Sequence, residues 1–207
     1  MLASERQIQK KEETRKAILD AAVAICLEDG FEELSIRKIT DRLGYSSGIV
    51  YHYFKDKQEI LDTIHQNTSL EIKEAVTNCM KPDRNFAENL RVIYKMLAEI
   101  TVYQPDTFKL ILLGRYGQPS PQSNSSTELW IEMIKQCIDM GIASGELRKI
   151  DSVISAYTLL NAFIVVQMII YERSATDKKT INKIFNTELD IILHGILNKD
   201  KEEREEE

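Results

Sequence analysis

Apolar residues recur at intervals of three and four along nearly the whole chain, which is the spacing that places them on one side of an α-helix. Between residues 14 and 29, for example, Ile18, Ala22 and Ile25 share one face. Eight glycines and four prolines make up only about 6% of the 207 residues, roughly half the usual share. Such a chain has few of the tight turns that join β-strands. The sequence therefore predicts an all-α fold.

The same spacing, together with residues that end helices, predicts about nine helices. They are expected at about 14–29, 36–43, 46–53, 57–80, 84–102, 106–116, 125–141, 151–172 and 180–197. Gly30 and Gly44 follow the first two, where glycine readily adopts the left-handed conformation that terminates a helix. Ser35 is the expected N-cap of the second helix. Asp56 and Glu59 form an Asp-x-x-Glu version of the capping box ahead of the fourth.

The net charge of −6 argues at first against a partner as anionic as nucleic acid. The charges are unevenly distributed, however. Residues 1–57 sum to zero, whereas residues 200–207 alone carry −4. Much of the acidity therefore belongs to a short tail at 200–207, and the N-terminal region remains compatible with DNA.

No residue pattern points to a metal site, a cofactor or catalysis. The three cysteines, Cys26, Cys79 and Cys137, are 53 and 58 positions apart, which is not metal-ligand spacing. Their odd number and the absence of a signal-peptide pattern suit a reduced, cytoplasmic protein. The histidines are scattered, and there is no glycine-rich phosphate loop. We expect no cofactor and no enzymatic activity, although a Ser/His/Asp set assembled in space stays open.

Residues 153–171 form a run of 19 without a charge, long enough to span a membrane. Ser155, Thr158, Asn161 and Gln167 interrupt it, and the first three form a polar strip along a helix. An amphipathic segment follows at once. We expect a helix that is buried on nearly all sides in a core or a subunit interface, and no membrane span.

Residues 35–53 are the most informative segment, because two short helices joined by a turn at Gly44 make a helix-turn-helix braced by the first helix. In such a unit the second short helix lies in the major groove and presents its N-terminal residues to base edges. Ser46, Ser47 and Gly48 are small enough for close approach to DNA. Alternatively, this is a three-helix piece of an ordinary core, and Tyr51 and its neighbours are simply packed.

Six short motifs share their residues and register with one known family. They read Ile18-Leu-Asp-Ala-Ala22, Gly30-Phe31, Ser35-Ile-Arg-Lys-Ile39, Leu43-Gly44-Tyr-Ser-Ser-Gly48, Tyr51-His-Tyr-Phe54 and Lys57-Gln-Glu-Ile-Leu61. Residues 14–61 thereby resemble the DNA-binding domain of the TetR family of bacterial transcriptional regulators. Residues 141–151 resemble, more weakly, the turn before that family's last two helices. Cys26, Thr40 and Leu43 depart from the usual pattern at core positions.

The resemblance implies a set of DNA contacts. Tyr45, Ser46, Ser47 and Gly48 would meet the major groove, and Tyr51 and His52 would approach bases or backbone. Lys57, at the start of the fourth helix, would meet a phosphate. Ser35 and Arg37 would hold the DNA backbone from the other side. Lys57 and His52 are also residue types that are ordinary on a solvated surface.

The resemblance further implies that residues 58–199 bind a small molecule and form a homodimer through the last two helices, at about 151–172 and 180–197. Candidate ligand-lining residues are Tyr94, Tyr103, Phe108, Arg115, Tyr116, Trp130, Met133, Phe163, Met168 and Gln167. Aromatic and Met residues at helical spacing are equally typical of a plain core. Arg115 and Gln167 are candidates for orienting a polar group of the ligand.

The leading hypothesis is a ligand-responsive transcriptional regulator, a dimeric repressor that binds a palindromic double-stranded DNA operator and is released by an unknown small-molecule effector. It assigns residues 1–57 to a helix-turn-helix DNA-binding domain and residues 58–199 to a helical effector-binding and dimerisation domain. One alternative is a helical carrier or enzyme in which the N-terminal unit is only structural. Another is an architectural DNA-binding protein without an effector.

Overall fold

The computed structural model describes the backbone of residues 3–116, 126–172 and 177–197, and the side chains of 5–110, 127–168, 177 and 179–197. Nine α-helices form the described ranges, and the all-α prediction is confirmed. They are α1 Ala3–Glu28, α2 Ile36–Leu43, α3 Ser47–Tyr53, α4 Lys57–Cys79, α5 Phe86–Tyr103, α6 Pro105–Tyr116, α7 Ser126–Ala143, α8 Ser152–Glu172 and α9 Lys178–Ile196. The predicted acidic tail at 200–207 lies outside the described residues.

Helix α1 begins at Ala3, about three turns earlier than the apolar spacing predicts. The additional segment contains Lys, Arg, Glu and Gln, which favour helix, and no glycine or proline. The side chain of Gln9 donates to Glu13 Oε1 at 3.0 Å, one helical turn away. Residues 5–13 are exposed, so no apolar face marks this part of the helix in the sequence.

The predicted helix ends around α2 are confirmed. Ser35 Oγ accepts from the backbone N–H of Lys38 at 3.2 Å. Gly44 ends the helix with a φ of 67°, and its N–H donates to Thr40 O. Ahead of α4, the N–H of Glu59 donates to Asp56 Oδ1 at 2.9 Å as expected. The reciprocal bond differs, because Glu59 accepts from the N–H of Lys55, not from that of Asp56.

The chain divides into two compact units. The first contains the described residues of Met1–Ser69 and Lys109–Ser123, and the second those of Leu70–Phe108 and Asn124–Glu207. This division runs through α4 and α6, whereas the sequence places a functional boundary at 57/58. That boundary stays a prediction. In the first unit α1, α2, α3 and the start of α4 share one core, in which Ile18, Ile39, Val50 and Ile60 are completely buried.

The second unit has two apolar clusters. One joins α5, α8 and α9 around Tyr94, Phe163 and Phe185. The other joins α7 and α8 around Ile138, and there Leu147 forms an antiparallel bridge with Leu197. These clusters bury one side of α8 and one side of α9, with the rest of each helix turned outward.

Within a single chain, only one side of α8 is buried, so the predicted burial on nearly all sides does not come from the core alone. Burial of the other side in a subunit interface stays a prediction. Ala156, Leu159 and Phe163 face the core, while Ile154 is 64% exposed and Val165 is 49% exposed. Among the described residues, no helix is long and apolar enough to cross a membrane. Within the described part of the chain, the outer face of α8 is thus apolar and uncovered.

Candidate functional site

The helix-turn-helix is anchored by one side of α3. Val50 is completely buried in the first core, and Tyr53 packs against that core from its edge. The opposite side presents Tyr51, which is 56% exposed, and the exposed ring of His52. The His52 and Tyr53 rings meet edge to face, with centroids 5.1 Å apart. α3 therefore holds a polar aromatic surface in a defined orientation.

The N-terminus of α3 is open. Ser46 occupies the N-cap position but its side chain makes no capping hydrogen bond. Ser47 and Gly48 follow it and are also exposed. A β-carbon added at Gly48 would find only Ser46 Oγ, at 3.9 Å. Small side chains and available backbone donors at this end suit close approach to a nucleic acid.

Three other predicted DNA-contact residues have contacts within the first unit. The Ser35 hydroxyl caps α2, and Tyr45 packs against the first core. Lys57 Nζ donates to Glu32 O at 3.3 Å. That partner is a neutral carbonyl, so the contact leaves the positive charge of Lys57 uncompensated.

The three cations of α2 differ in how far they are neutralised. Lys38 Nζ lies 3.0 Å from Asp29 Oδ2 and 3.1 Å from Glu33 Oε2. One amino group of Arg42 donates to both carboxylate oxygens of Glu28, at 2.7 and 2.8 Å. The Arg37 side chain is 91% exposed, with Asp41 3.7 Å away. Arg37 and Lys57 are thus more available to phosphates than Lys38 and Arg42 are.

The contact that positions Phe54 is absent from the sequence prediction. The Arg15 guanidinium lies over the Phe54 ring, 4.9 Å from its centroid, and Phe54 is 1% exposed. This cation–π contact ties α1 to the end of α3. Because the two residues lie far apart in the chain, no spacing rule could have paired them.

The predicted effector residues are brought together only in part. The ring centroids of Tyr94 and Phe163 are 5.0 Å apart, and those of Phe163 and Phe185 are 6.0 Å apart. Gln167 follows Phe163 by one helical turn and is buried. Phe108 is fully buried, Trp130, Met133 and Met168 are half-buried, and Tyr103 is 55% exposed. The side chains of Arg115 and Tyr116 lie outside the described residues.

Three buried polar atoms of this second unit have no hydrogen-bond partner among the described residues. They are Tyr94 Oη, Gln167 Nε2 and Glu188 Oε2. Burial, and then the negative charge of Glu188, raises the pKa of Tyr94 well above its usual range. Burial likewise raises the pKa of Glu188. Sequence reasoning missed Glu188 because a glutamate on an amphipathic helix is usually solvated.

No cluster of three His, Cys, Asp or Glu side chains in the described part of the chain could hold a metal ion. The chemistry of this region is therefore that of hydrogen bonds, charge and apolar contact. Interactions of these kinds can recognise DNA or a small molecule.

Comparison with known proteins identifies the first unit. Residues 18–64 match the model of bacterial regulatory proteins of the tetR family. The HTH-type transcriptional repressor KstR2 of Mycobacterium tuberculosis is 23% identical over 135 residues, which cover 61% of this chain and 68% of that protein. The regulator BetI of Klebsiella pneumoniae is 32% identical over 81 residues, 38% of this chain and 42% of that protein.

The fold of the whole chain has solved counterparts. SmeT, the repressor of the Stenotrophomonas maltophilia multidrug efflux pump SmeDEF, superposes with a TM-score of 0.72 at 21% identity, covering 89% of this chain and 91% of that one. This likeness shows a shared arrangement of helices. Together with the similar regulators, the matched segment leads to one conclusion: residues 18–64 are a domain of the tetR family of bacterial regulatory proteins.

Proposed function

We propose that the chain is a dimeric repressor that binds a palindromic operator and releases it when a small molecule binds the second unit. The observation that carries the proposal is the open N-terminus of α3, with Ser46, Ser47 and Gly48 exposed beside Tyr51. These groups can meet base edges in the major groove, because Val50 anchors the opposite side of the helix.

The distribution of charge in the first unit favours sequence-specific binding of DNA over non-specific binding. Lys38 and Arg42 are paired with carboxylates, so two of the three cations on α2 are neutralised. Arg37 and Lys57 remain as placed cations on α2 and at the start of α4. Affinity then depends on a few phosphate contacts, base contacts from α3 and the symmetry of a dimer.

The outer faces of α8 and α9 support dimerisation. Six large apolar side chains of their described residues are exposed there: Val153, Ile154, Tyr157, Val165, Ile184 and Ile191. A contiguous apolar surface of this kind is typical of an interface. Two copies packed through these helices would form a four-helix bundle, and a two-fold dimer would read two half-sites about 34–36 Å apart.

The effector would bind in the second unit. The buried aromatic cluster around Tyr94 and Phe163 supports a small-molecule site in the second unit. SmeT, which shares the fold, has been solved as a complex with triclosan. For release, the effector must bind a non-DNA-binding state of the dimer more tightly than the DNA-binding state.

The test begins with selection and sequencing of DNA fragments that the full chain binds from its own genome. Fluorescence anisotropy on the selected operator then compares wild type with the double variant Tyr51→Ala/Lys57→Ala. We expect the dissociation constant to rise on the order of tenfold or more, and the salt dependence to lose about one phosphate contact.

The matched control is Lys95→Ala, an exposed lysine on α5, which should bind the operator like wild type. If the selection enriches no sequence, or if the double variant binds with wild-type affinity and salt dependence, the proposed DNA-reading surface is wrong.

A further inference from the structure

The core of the second unit contains polar groups that stability alone does not explain. Tyr94 is 5% exposed and Gln167 is 3% exposed, yet Tyr94 Oη and Gln167 Nε2 have no partner among the described residues. Leaving a buried polar group unpaired costs about 1–3 kcal/mol. Natural cores avoid this cost, and where it persists a ligand or ordered solvent commonly supplies the missing bond.

Glu188 lies beside Tyr94, although it belongs to a different helix. Its negative charge is felt at the Tyr94 phenol, where it raises the pKa. An ion pair between Arg91 Nη1 and Asp190 Oδ1 at 2.8 Å joins α5 and α9 about one turn away from them. The buried oxygens Glu188 Oε2 and Tyr94 Oη therefore lie in the same part of the core.

The buried Oε2 of Glu188 is an acceptor that lacks a hydrogen-bond donor among the described residues. A partly buried carboxylate is stabilised by a cation that replaces its lost hydration. Arg91, the nearby cation on α5, is already paired with Asp190. The π faces of Tyr94, Phe163 and Phe185 would add an attractive surface for a cation and for the apolar body that carries it.

We propose that Tyr94 and Glu188 recognise the protonated nitrogen of an organic amine, which is the effector of the repressor. Glu188 Oε2 and Tyr94 Oη accept hydrogen bonds from the ammonium group, and the aromatic rings contact the apolar body. Gln167 extends the site by one turn of α8 and provides a donor for a second polar group. This inference rests on the proposed function and names its ligand class.

A second copy of the chain is the competing source of a cation. Glu188 also lines a groove of about 540 Å³ with Lys183, Ile184 and Ile191, on the face proposed for dimerisation. A copy docked on that face could bring its own lysine to Glu188. It would not reach Tyr94 or Gln167, because both are buried on the inner side of their helices. We therefore assign the unpaired atoms of Tyr94 and Glu188 to a small molecule bound between α5 and α9, and not to a second copy.

The experiment compares three probes with the same carbon skeleton: 4-phenylbutylamine, 4-phenylbutan-1-ol and 4-phenylbutanoate. Binding to the full chain is measured by calorimetry and by the fluorescence of Trp130, the only tryptophan. We expect the amine to bind about tenfold more tightly than the alcohol, and the carboxylate to bind weakest.

Variants identify the residues. Glu188→Gln should weaken amine binding about tenfold without changing alcohol binding, because only the charged partner is lost. Tyr94→Phe should weaken it by a smaller factor. Glu99→Gln, at an exposed glutamate of α5, is the control and should bind like wild type. Melting curves without probe verify that each variant folds.

Several results would overturn the inference: equal binding of the three probes, tightest binding of the carboxylate, no binding of the amine, or a Glu188→Gln variant that binds the amine normally. A weakened dimer with unchanged amine binding, seen by sedimentation, would assign Glu188 to the second copy instead. Operator binding without probe is measured in parallel. If it persists while the amine has no effect, only this inference fails and the proposed function stands.

Discussion

At the scale of single residues, burial determines the chemistry of Cys26. Its side chain is 2% exposed in the core of the first unit. Loss of hydration disfavours the thiolate and raises the pKa of the thiol from 9.0 to about 11, and the positive charge of Lys57 opposes this in part. Cys26 therefore behaves as a small neutral apolar side chain at physiological pH.

The raised pKa predicts a loss of stability at alkaline pH. The unfolded chain releases the Cys26 proton near pH 9 and the folded chain near pH 11, so the contribution is complete below pH 9 and is lost as the pH rises to 11. The loss should reach about 3 kcal/mol at most. Urea unfolding at several pH values should show that the free energy of unfolding falls less steeply with rising pH in Cys26→Ala than in wild type. Identical slopes for the two proteins would contradict the assignment.

Gly141 is required by a close contact near the end of α7. A β-carbon at this position would lie 2.8 Å from Cγ and Cδ1 of Leu147, which is itself 2% exposed. We expect Gly141→Ala to lower the free energy of unfolding by about 1–3 kcal/mol, as overpacking of a core does. Chemical denaturation measures this loss.

Leu147→Ala supplies the control for that clash. In the Leu147→Ala variant the added methyl group has space. Gly141→Ala should therefore lower the free energy of unfolding less in that variant than in wild type. Strictly additive costs would mean that the contact with Leu147 is not the cause.

At the scale of elements, α2 and α3 each have a serine at the N-cap position, but only one of the two side chains forms a capping hydrogen bond. Ser35 Oγ accepts from the N–H of Lys38 at 3.2 Å and so caps α2. Ser46 has the same position before α3, but its side chain forms no capping bond. One serine therefore stabilises a helix, while the other leaves its hydroxyl available to an outside partner.

Substitution of the two serines by alanine should separate stability from recognition. Ser35→Ala should lower the free energy of unfolding by about 1 kcal/mol, and Ser46→Ala by a few tenths at most. Ser46→Ala should instead weaken operator binding. Urea unfolding and anisotropy on the same samples provide both readouts. Equal stability losses in the two variants would contradict the difference in capping.

At the scale of the whole molecule, the exposed apolar faces of α8 and α9 are the surface through which two copies would associate. Ile154 is 64% exposed and Ile191 is 69% exposed, although both lie in strongly apolar stretches. A single chain offers nothing to cover them within its described part. A second copy would bury both faces and would set the two DNA-reading helices at a fixed separation.

A charge placed on this face should break the dimer. We expect Ile191→Asp to raise the dimer dissociation constant by an order of magnitude or more, because an unpaired carboxylate would be buried at the interface. Operator affinity should fall with it. Met140→Asp, at an equally exposed position on α7, is the control and should leave both unchanged. Sedimentation equilibrium distinguishes the outcomes, and an unaffected dimer in Ile191→Asp would place the interface elsewhere.

The sequence by itself determined the elements whose signals are local. The bounds of α2 and α3, the cap at Ser35 and the left-handed Gly44 agree with the sequence reading because capping and periodicity act within a few residues. The early start of α1 was missed, since its first turns have good helix formers but no buried face. The DNA-contact surface was likewise proposed from motifs in one continuous stretch.

Only the tertiary structure decided which of these groups are available. It pairs Lys38 and Arg42 with carboxylates nine and fourteen positions away, and it leaves Lys57 beside a neutral carbonyl. It also brings Glu188 close enough to raise the pKa of Tyr94, and it leaves Glu188 Oε2 and Tyr94 Oη without a hydrogen-bond partner among the described residues. Such meetings arise from the packing of helices that are distant in the chain. The physical reason is that hydration and charge depend on neighbours in space, for which a local sequence pattern has no signal.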